Sequence, residues 1–532
     1  MQTAAVIGDE FSPELLGALA GRPTSDLLTL LDQLVHMEIL IGHSEPDGRL
    51  FDFRHALLRD AAYGTLLRSR RRELHEKVAL TIATSFPSTA ASQPETIARH
   101  FALAGLNEKA AEAWYEAGLK ASYRGAYREA EKDFHSALEN LDKLEESSKR
   151  TLFRLSVETA LHAALQVTDG YSAPRTVEAT ERLSMLSEKI GDVEHSIAQS
   201  YGRWASLSSA GQYMEAAGIA DQFFTLAIKD GRPETMTFAH MIRMTSRYRL
   251  GDLVGAERHY QAGKPRFPLE TFTRRPGAIG QLFGNASQVA WMLGRTVEAR
   301  DRMALAISLT KSKSTYDSAF TYFMAAMLAL LLRDPREASV FAQQSLDLAE
   351  RYSYPQFVSI AQVALGRAQS ELQRTNEALE LISTGIAGMA KTGATVAMSL
   401  YLAWQAEAQG FAGRFEEALT TIGRAHVFNP EERFFRSELL RIRGELRALL
   451  GDHVNAQKDI TEALMLARAM KAPGLALRAA ISLHRHLERT GLGGARQTVG
   501  LMLSLTGEID HSPDFNDAAT ILGKASVRVS AA

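Results

Sequence analysis

GAYREAEKDFHSA, Gly125 to Ala137, is the stretch that decides the fold. Gly125 opens it, Ala130 follows five residues later, Phe134 lies four beyond that and Ala137 three further on. On a helix the last three positions share one face. The arrangement reads as half of a helical hairpin. Glycine lets the chain reverse, alanine lets the partner helix approach closely, and the larger residue fills the space between them.

The same arrangement recurs along most of the chain. It occurs as LNEKAAEAWYEA around Ala110, GQYMEAAGIADQF around Ala216 and GDLVGAERHYQAG around Ala256. It returns as GRTVEARDRMALA around Ala299, DPREASVFAQQS around Ala338 and TNEALELISTG around Ala378. GRFEEALTTIGRA around Ala418 and GDHVNAQKDITEA around Ala456 follow, with GLGGARQTVG around Ala495 as a weaker last copy. From Ala216 the steps between these alanines are 40, 43, 39, 40, 40, 38 and 39 residues, and Ala130 to Ala216 spans 86, two such periods. A fixed period of this size marks a helical-hairpin solenoid. No hairpin buries its apolar face alone, so neighbouring hairpins must stack.

The N-terminal part breaks the helical pattern once. ILIGHSEPDGRLFDF, Ile39 to Phe53, reads as an apolar run, the turn residues Pro46-Asp47-Gly48 and an alternating return strand, a two-stranded ribbon. Two short helices precede it. Ser12 is placed to cap PELLGALA, and Thr24 or Ser25 to cap DLLTLLDQLVHM. Two helices, a ribbon and a following helix predict a winged-helix module over residues 1–85. A helical connector with the first hairpins is expected over 86–150, the repeats over 151–505 and a capping helix and tail over 506–532. The fold class expected is therefore all-α: a solenoid with one small β ribbon.

Composition narrows the function. At 532 residues the chain exceeds one core. Its formal net charge of −2 gives no global field toward nucleic acid or anionic membrane. There is no cysteine, which excludes disulfides, thiolate metal sites and thiol nucleophiles and fits a cytoplasmic location. MQTAAVIGDEF lacks a basic segment followed by a long apolar core, so no signal peptide is expected. The longest apolar run, around Met324 to Leu332, is about nine residues, against about 20 for a membrane span. Residues 1–50 hold two basic residues, Arg22 and Arg49, against eight acidic ones. Docking of the second helix in a DNA groove would be repulsive, so no nucleic-acid partner is expected.

The repeated pattern resembles the second helix of tetratricopeptide repeats, with a longer period, as in solenoids of the maltose-regulon activator type. That resemblance implies a right-handed superhelix. QTAAVIGDEFSPELL, FDFRHALLRDAAYGTLLRSRRRELH and QPETIARHFALAGLNEKAAEAWYEAG together resemble a bacterial family of large regulators. GYSAPRTVEATERLSML and PDFNDAATIL resemble it too. In that family a class III nucleotidyl cyclase or other effector precedes a STAND-type NTPase, a winged helix and the repeats. No G-x4-GK[ST] phosphate loop occurs in this chain, so nucleotide hydrolysis is not expected to carry over; no cyclase segment precedes residue 1, so cyclase chemistry is not expected either. The chain is expected to be the regulatory half of such a protein and not itself an enzyme. No cofactor is expected, with ADP or ATP relevant only if an NTPase is supplied in trans.

His55 is the sharpest candidate site residue. In STAND proteins a winged-helix histidine after an aromatic-x-apolar-x pattern touches the phosphates of bound ADP, and Phe51-Asp52-Phe53-Arg54-His55 matches that pattern. His55 would begin a helix, where free N–H groups and the dipole favour an anion. Arg54 is assigned to the same vestigial sensor. The bland alternative is a histidine bracing the strand–helix junction. Arg68, Arg70, Arg71 and Arg72 read as a solvated face or as internal bridges to Asp60 and Glu73, and His75 as a residue docking two helices. His484 and His486 point to different faces, and no metal spacing occurs. Trp114, Trp204, Trp291 and Trp404 read as core. The partner expected is a protein or peptide on the concave face of the array, with a separately encoded NTPase or cyclase as the regulated effector. The alternatives are the sensory subunit of an ATP-dependent adenylate or guanylate cyclase and, more weakly, a transcriptional regulator.

Overall fold

The computed structural model describes residues 1–45, 48–190, 193–264, 276–311, 314–372, 375–506 and 512–523. Two compact units, Met1–Ala164 and Leu165–Ala532, divide the chain.

The first unit begins with α1 (Gln2–Ile7), β1 (Glu10–Phe11), α2 (Pro13–Ala20), α3 (Thr24–His36), β2 (Leu40–Glu45), β3 (Gly48–Phe53), α4 (Ala56–Gly64) and α5 (Arg68–Ser85). The expected ribbon is the antiparallel β2–β3 pair, in the register Leu40↔Phe53 to Glu45↔Gly48. Pro46 and Asp47 of its turn lie outside the described residues. A third strand, β1, pairs with β3 through Phe11↔Phe51 and gives the order β1-β3-β2. A two-residue strand has no periodicity of its own, so only the pairing reveals it. Alternation places Phe51 and Phe53 on the buried face with Phe11, Leu40, Val78 and Ile82. Phe11 and Phe51 stack at 6.2 Å between ring centroids.

The Ser12 hydroxyl caps α2 by accepting from the Leu15 N–H at 3.1 Å. The cap expected from Thr24 or Ser25 is absent. Pro23, held at φ −56° by its ring, takes the cap position of α3 with no side-chain bond, and Thr24 is already helical. The Ser25 hydroxyl turns to Asp26 instead. After α5 the unit continues through α6 (Pro87–Ser92), α7 (Pro94–Ala104), α8 (Asn107–Tyr123) and α9 (Tyr127–Leu141).

The second unit is a stack of helical hairpins. Nine of the ten alanines that mark the repeat, Ala110 and Ala130 in the first unit and seven from Ala216 to Ala456 in the second, are fully or almost fully buried. Ala495 of the weak last copy is half-buried. The glycine turns take left-handed backbone, with φ 84° at Gly251, 77° at Gly294, 75° at Gly413 and 84° at Gly451. Close approach of the two helices of a hairpin is visible at Gly444. A Cβ there would lie 2.6 Å from Ile460 Cγ1 and 2.9 Å from the Ala456 carbonyl oxygen. Gly366 stands in the same relation to Ile382 and Ala378. The alanine and the residue four beyond it are therefore the contact surface, as the pattern predicts.

The two helices of a hairpin differ in burial. Outer helices bury one stripe; Pro335–Arg351 buries Ala338, Ala342, Ser345, Leu346 and Ala349. Inner helices are enclosed. Ala278–Met292 is buried at every position but Gln281. Enclosure follows because the array winds back onto itself. The Tyr171 N–H donates to Gln356 Oε1 across 185 residues, and the Ala397 N–H to the Tyr213 hydroxyl across 184. The N–H groups of Thr395 and Val396 both donate to the Ser209 carbonyl at 2.9 Å, and that of Arg433 to the Arg249 carbonyl at 3.1 Å. One turn of the superhelix thus takes about 184 residues, between four and five repeats of 40. The unit ends in the helix Pro513–Ile521. Residues 507–511 and 524–532 of the expected C-terminal segment lie outside the described residues. Asp514 and Asp517 of that helix accept from Arg333 at 3.0 and 2.7 Å. Arg333 itself holds φ 58° at a repeat turn where other repeats use glycine.

Candidate functional site

Superhelical closure brings side chains of six inner helices around one internal cavity of about 90 Å³. The helices are Val193–Ser209, Pro233–Arg249, Ala278–Met292, Thr315–Leu331, Pro355–Glu371 and Met398–Phe411. One side of the cavity is polar, from Ser208, Thr245, Asn285 and Gln288; the other is apolar, from Phe320, Phe323, Met324 and Ile360.

The polar side is built by the 40-residue period. Asn285 Nδ2 donates to the Thr245 hydroxyl at 3.3 Å, and the Tyr248 hydroxyl donates to Gln288 Oε1 at 2.5 Å, each across 40 residues. These bonds use one end of each amide. Among the described residues Asn285 Oδ1 and Gln288 Nε2 have no hydrogen-bond partner, although they are only 2 % and 1 % exposed. A buried polar atom without a partner costs about 1–3 kcal/mol, so this wall is incomplete.

Arg249 is the one charged residue among those lining the cavity. Its guanidinium lies over the rings of Phe434, at 4.8 Å, and Tyr248, at 5.2 Å. Among the described residues it makes no side-chain hydrogen bond and no ion pair. Nearby Glu432 is buried, and burial raises its carboxyl to about 7 against the attraction of Arg249. The N–H groups of Ser399 and Leu400 lie close to that carboxyl, but neither is aligned as a hydrogen bond. Burial also raises the hydroxyls of Tyr213, Tyr248 and Tyr401 well above the usual phenol range.

A second inner cavity, of about 250 Å³, is lined by charge that is internally matched. Arg367 pairs with Glu371 at 2.9 Å and Glu407 at 3.1 Å. Arg441 pairs with Glu438 at 3.0 Å and Glu445 at 2.7 Å, and Arg478 with Asp514 at 2.5 Å. Each buried guanidinium has at least two carboxylates within reach, as burial of a charge requires.

In the first unit, His55 and Arg54 stand together at the exposed β3–α4 junction. His55 occupies the cap position of α4 with extended backbone, φ −135° and ψ 130°, and its ring makes no capping bond. Arg54 lies 3.9 Å from Glu38. Arg70 pairs with Glu73 at 2.8 Å, as expected, while Asp60 is taken by Arg59 rather than by the arginine run. Arg71 donates to the Gly64 carbonyl at the end of α4 and lies 4.5 Å over the Tyr63 ring. That carbonyl supplies negative dipole to offset cations at the start of α5.

His75 joins three helices. Its Nε2 lies 3.0 Å from the Tyr63 hydroxyl on α4, and its Nδ1 lies 2.8 Å from His100 Nδ1 on α7. Both imidazoles are buried; burial, reinforced by Arg99 and Arg71, pushes His75 down to about 4. Burial, then the His75 neighbour, pushes His100 down to about 3. Both rings are neutral, and one must donate to the other. His75 was expected to dock two helices; His100, its partner 25 residues on, carried no signal in the sequence. The ribbon cation Arg49 is turned onto Asp32 of α3, at 2.7 Å.

Arg249, Asn285 and Gln288 were not singled out from the sequence. The alanine count follows the outer helices, and only a second count along the inner ones, 245 to 285 and 248 to 288, exposes them.

No family model matches the chain. A curated relative, an uncharacterized protein of Rhizobium meliloti, is 24% identical over 497 residues, covering 90% of this chain and 47% of its own length. The chain thus spans about half the length of that relative. Among solved structures, a Rap protein complexed with competence and sporulation factor matches 68% of this chain and 99% of its own, with TM-score 0.50 and 12% identity. The Cut9–Hcn1 assembly matches 88% of this chain and 89% of its own, with TM-score 0.46 and 11% identity. The fold is a tetratricopeptide-like solenoid. The comparisons indicate no enzyme family. Among the described residues no helix is long and apolar enough to cross a membrane.

Proposed function

We propose that this chain is the recognition part of a signalling regulator, and that the inner face of its solenoid binds a segment of a partner protein. The observation that carries the reading is the convergence of six inner helices on one face whose buried Asn285 and Gln288 retain unused hydrogen-bonding groups. Protein-binding solenoids present an extended inner surface of this kind. The Rap structure supports the reading through its fold alone. In this reading the unit's occupancy regulates a STAND NTPase or nucleotidyl cyclase, in the same or a separate polypeptide. The unmatched half of the Rhizobium meliloti relative leaves room for such an effector. The helix–strand–helix–helix–ribbon module, read as a winged helix, would face that effector through His55 and Arg54.

The test is amide hydrogen exchange on the whole chain, with binders selected from a random peptide library. The reading expects slower exchange in the inner helices around residues 205–209, 245–249 and 281–288. Protection confined to the outer helices would overturn it.

A further inference from the structure

The cavity has a chemistry narrower than that of a general protein-binding face. Its volume is about 90 Å³. An apolar cavity of about 150 Å³ takes one benzene, so this smaller space suits one short branched aliphatic group, the size of a single side chain of a partner segment, and not the backbone of a peptide. Phe320, Phe323, Met324, Met327, Phe357 and Ile360 supply an apolar wall for that group. At the polar end stands Arg249, with no hydrogen-bond or ion-pair partner among the described residues and its guanidinium oriented by the rings of Phe434 and Tyr248. A planar guanidinium with unused parallel N–H groups matches a carboxylate in two-point fashion. A tetrahedral phosphate would need further cationic donors, and no second cation lines the cavity. Asn285 Oδ1 and Gln288 Nε2 add one buried acceptor and one buried donor. The neighbouring ionic cavity shows the contrast: its arginines are all paired.

We infer that the inner cavity is a site for a free small organic acid, a carboxylate attached to one compact apolar group, held through Arg249. The inference rests on reading the inner face as the binding face, and it makes the solenoid a metabolite sensor as well as a protein-binding surface.

The probes are sodium isobutyrate and isovalerate, the neutral isobutyramide and isovaleramide, inorganic phosphate, and a hexapeptide ending in leucine with a free carboxylate. Each is titrated into the whole chain by calorimetry and followed by amide exchange. The acids are expected to bind and to slow exchange at 245–249 and 281–288. The amides are expected to bind at least tenfold more weakly, and phosphate not at all. Arg249→Gln should lose at least tenfold for the acids while keeping the thermal midpoint; Met327→Trp, which fills the cavity and leaves Arg249 intact, should lose them equally. Equal binding of acid and amide, an unchanged affinity in Arg249→Gln, or no binding of either acid at millimolar concentration would overturn the inference. So would protection by the hexapeptide alone, which would leave the protein-binding reading standing. Absence of inner-face protection by every probe and every library peptide would remove both.

Discussion

The Ala397 N–H donates to the Tyr213 hydroxyl at 3.1 Å, although 184 residues separate the two. The bond joins successive turns of the superhelix, and Tyr213 is completely enclosed around it. Ala397 holds φ 57°, a left-handed conformation that costs a non-glycine residue about 1 kcal/mol or more and that the surrounding contacts must enforce. Tyr213→Phe keeps the ring and removes the acceptor. We expect a loss of about 1–2 kcal/mol in urea denaturation, with the Ala397 amide exchanging faster. An unchanged midpoint would show that the turns are held by packing alone.

Packing within a hairpin is tested at Gly444 and Ala418. A methyl at Gly444 would meet Ile460 and the Ala456 carbonyl. Gly444→Ala should therefore destabilise by about 1–3 kcal/mol despite its better helix propensity, and Ala418→Leu by a similar amount. Ile460→Ala removes the opposing Cγ1, so the loss in the double variant Gly444→Ala/Ile460→Ala should be smaller than the sum of the two single losses. A stabilised Gly444→Ala chain would contradict the close approach described here.

Much of the fold was legible in this way. The alanine period located the hairpins because close helix crossings demand a small residue at a fixed place in every repeat, and those alanines are buried. Ser12 was legible as a cap because its neighbours left it no competitor, whereas Thr24 and Ser25 lost theirs to the fixed backbone of Pro23. The site was mostly illegible. Arg249 lies in an ordinary amphipathic run, RMTSRYRLGD, and becomes a lone cavity cation only when Phe434 and the later helices close over it. His75 announced itself within an aromatic and basic cluster, but its ring partner His100 is fixed by tertiary packing alone.

The buried histidine pair makes the first unit acid-sensitive. His75 and His100 titrate near 4 and 3 in the folded chain, below the usual imidazole value of 6.5. Between pH 6.5 and about 4 the unfolded chain binds more protons than the folded one, so stability falls as pH falls through that window. Denaturation followed at pH 7 and pH 4.5 should show the loss in the wild type and a smaller one in His100→Leu. Equal losses would place the acid sensitivity elsewhere.

Glu432 carries the opposite sign. Its carboxyl titrates near 7 when folded and near 4.5 when free. Between those values the folded chain holds the extra proton, so stability contributed by the neutral acid is present at low pH and lost as pH rises toward 7. Glu432→Gln should flatten that slope and be the more stable chain at pH 8, by a few kcal/mol. A slope unchanged in Glu432→Gln would show that the carboxyl is ionised throughout, paired with Arg249.

The central claim is that successive turns of the solenoid seal against each other and so enclose a binding face. It is tested most directly by amide hydrogen exchange at Thr395, Val396 and Arg433, which lie between helices and whose N–H groups donate only to carbonyls of the preceding turn, Ser209 and Arg249. The account predicts that these three amides are protected to the level of the inner helices. Exchange at the rate of exposed loops would contradict it, since an open array would leave all three facing water.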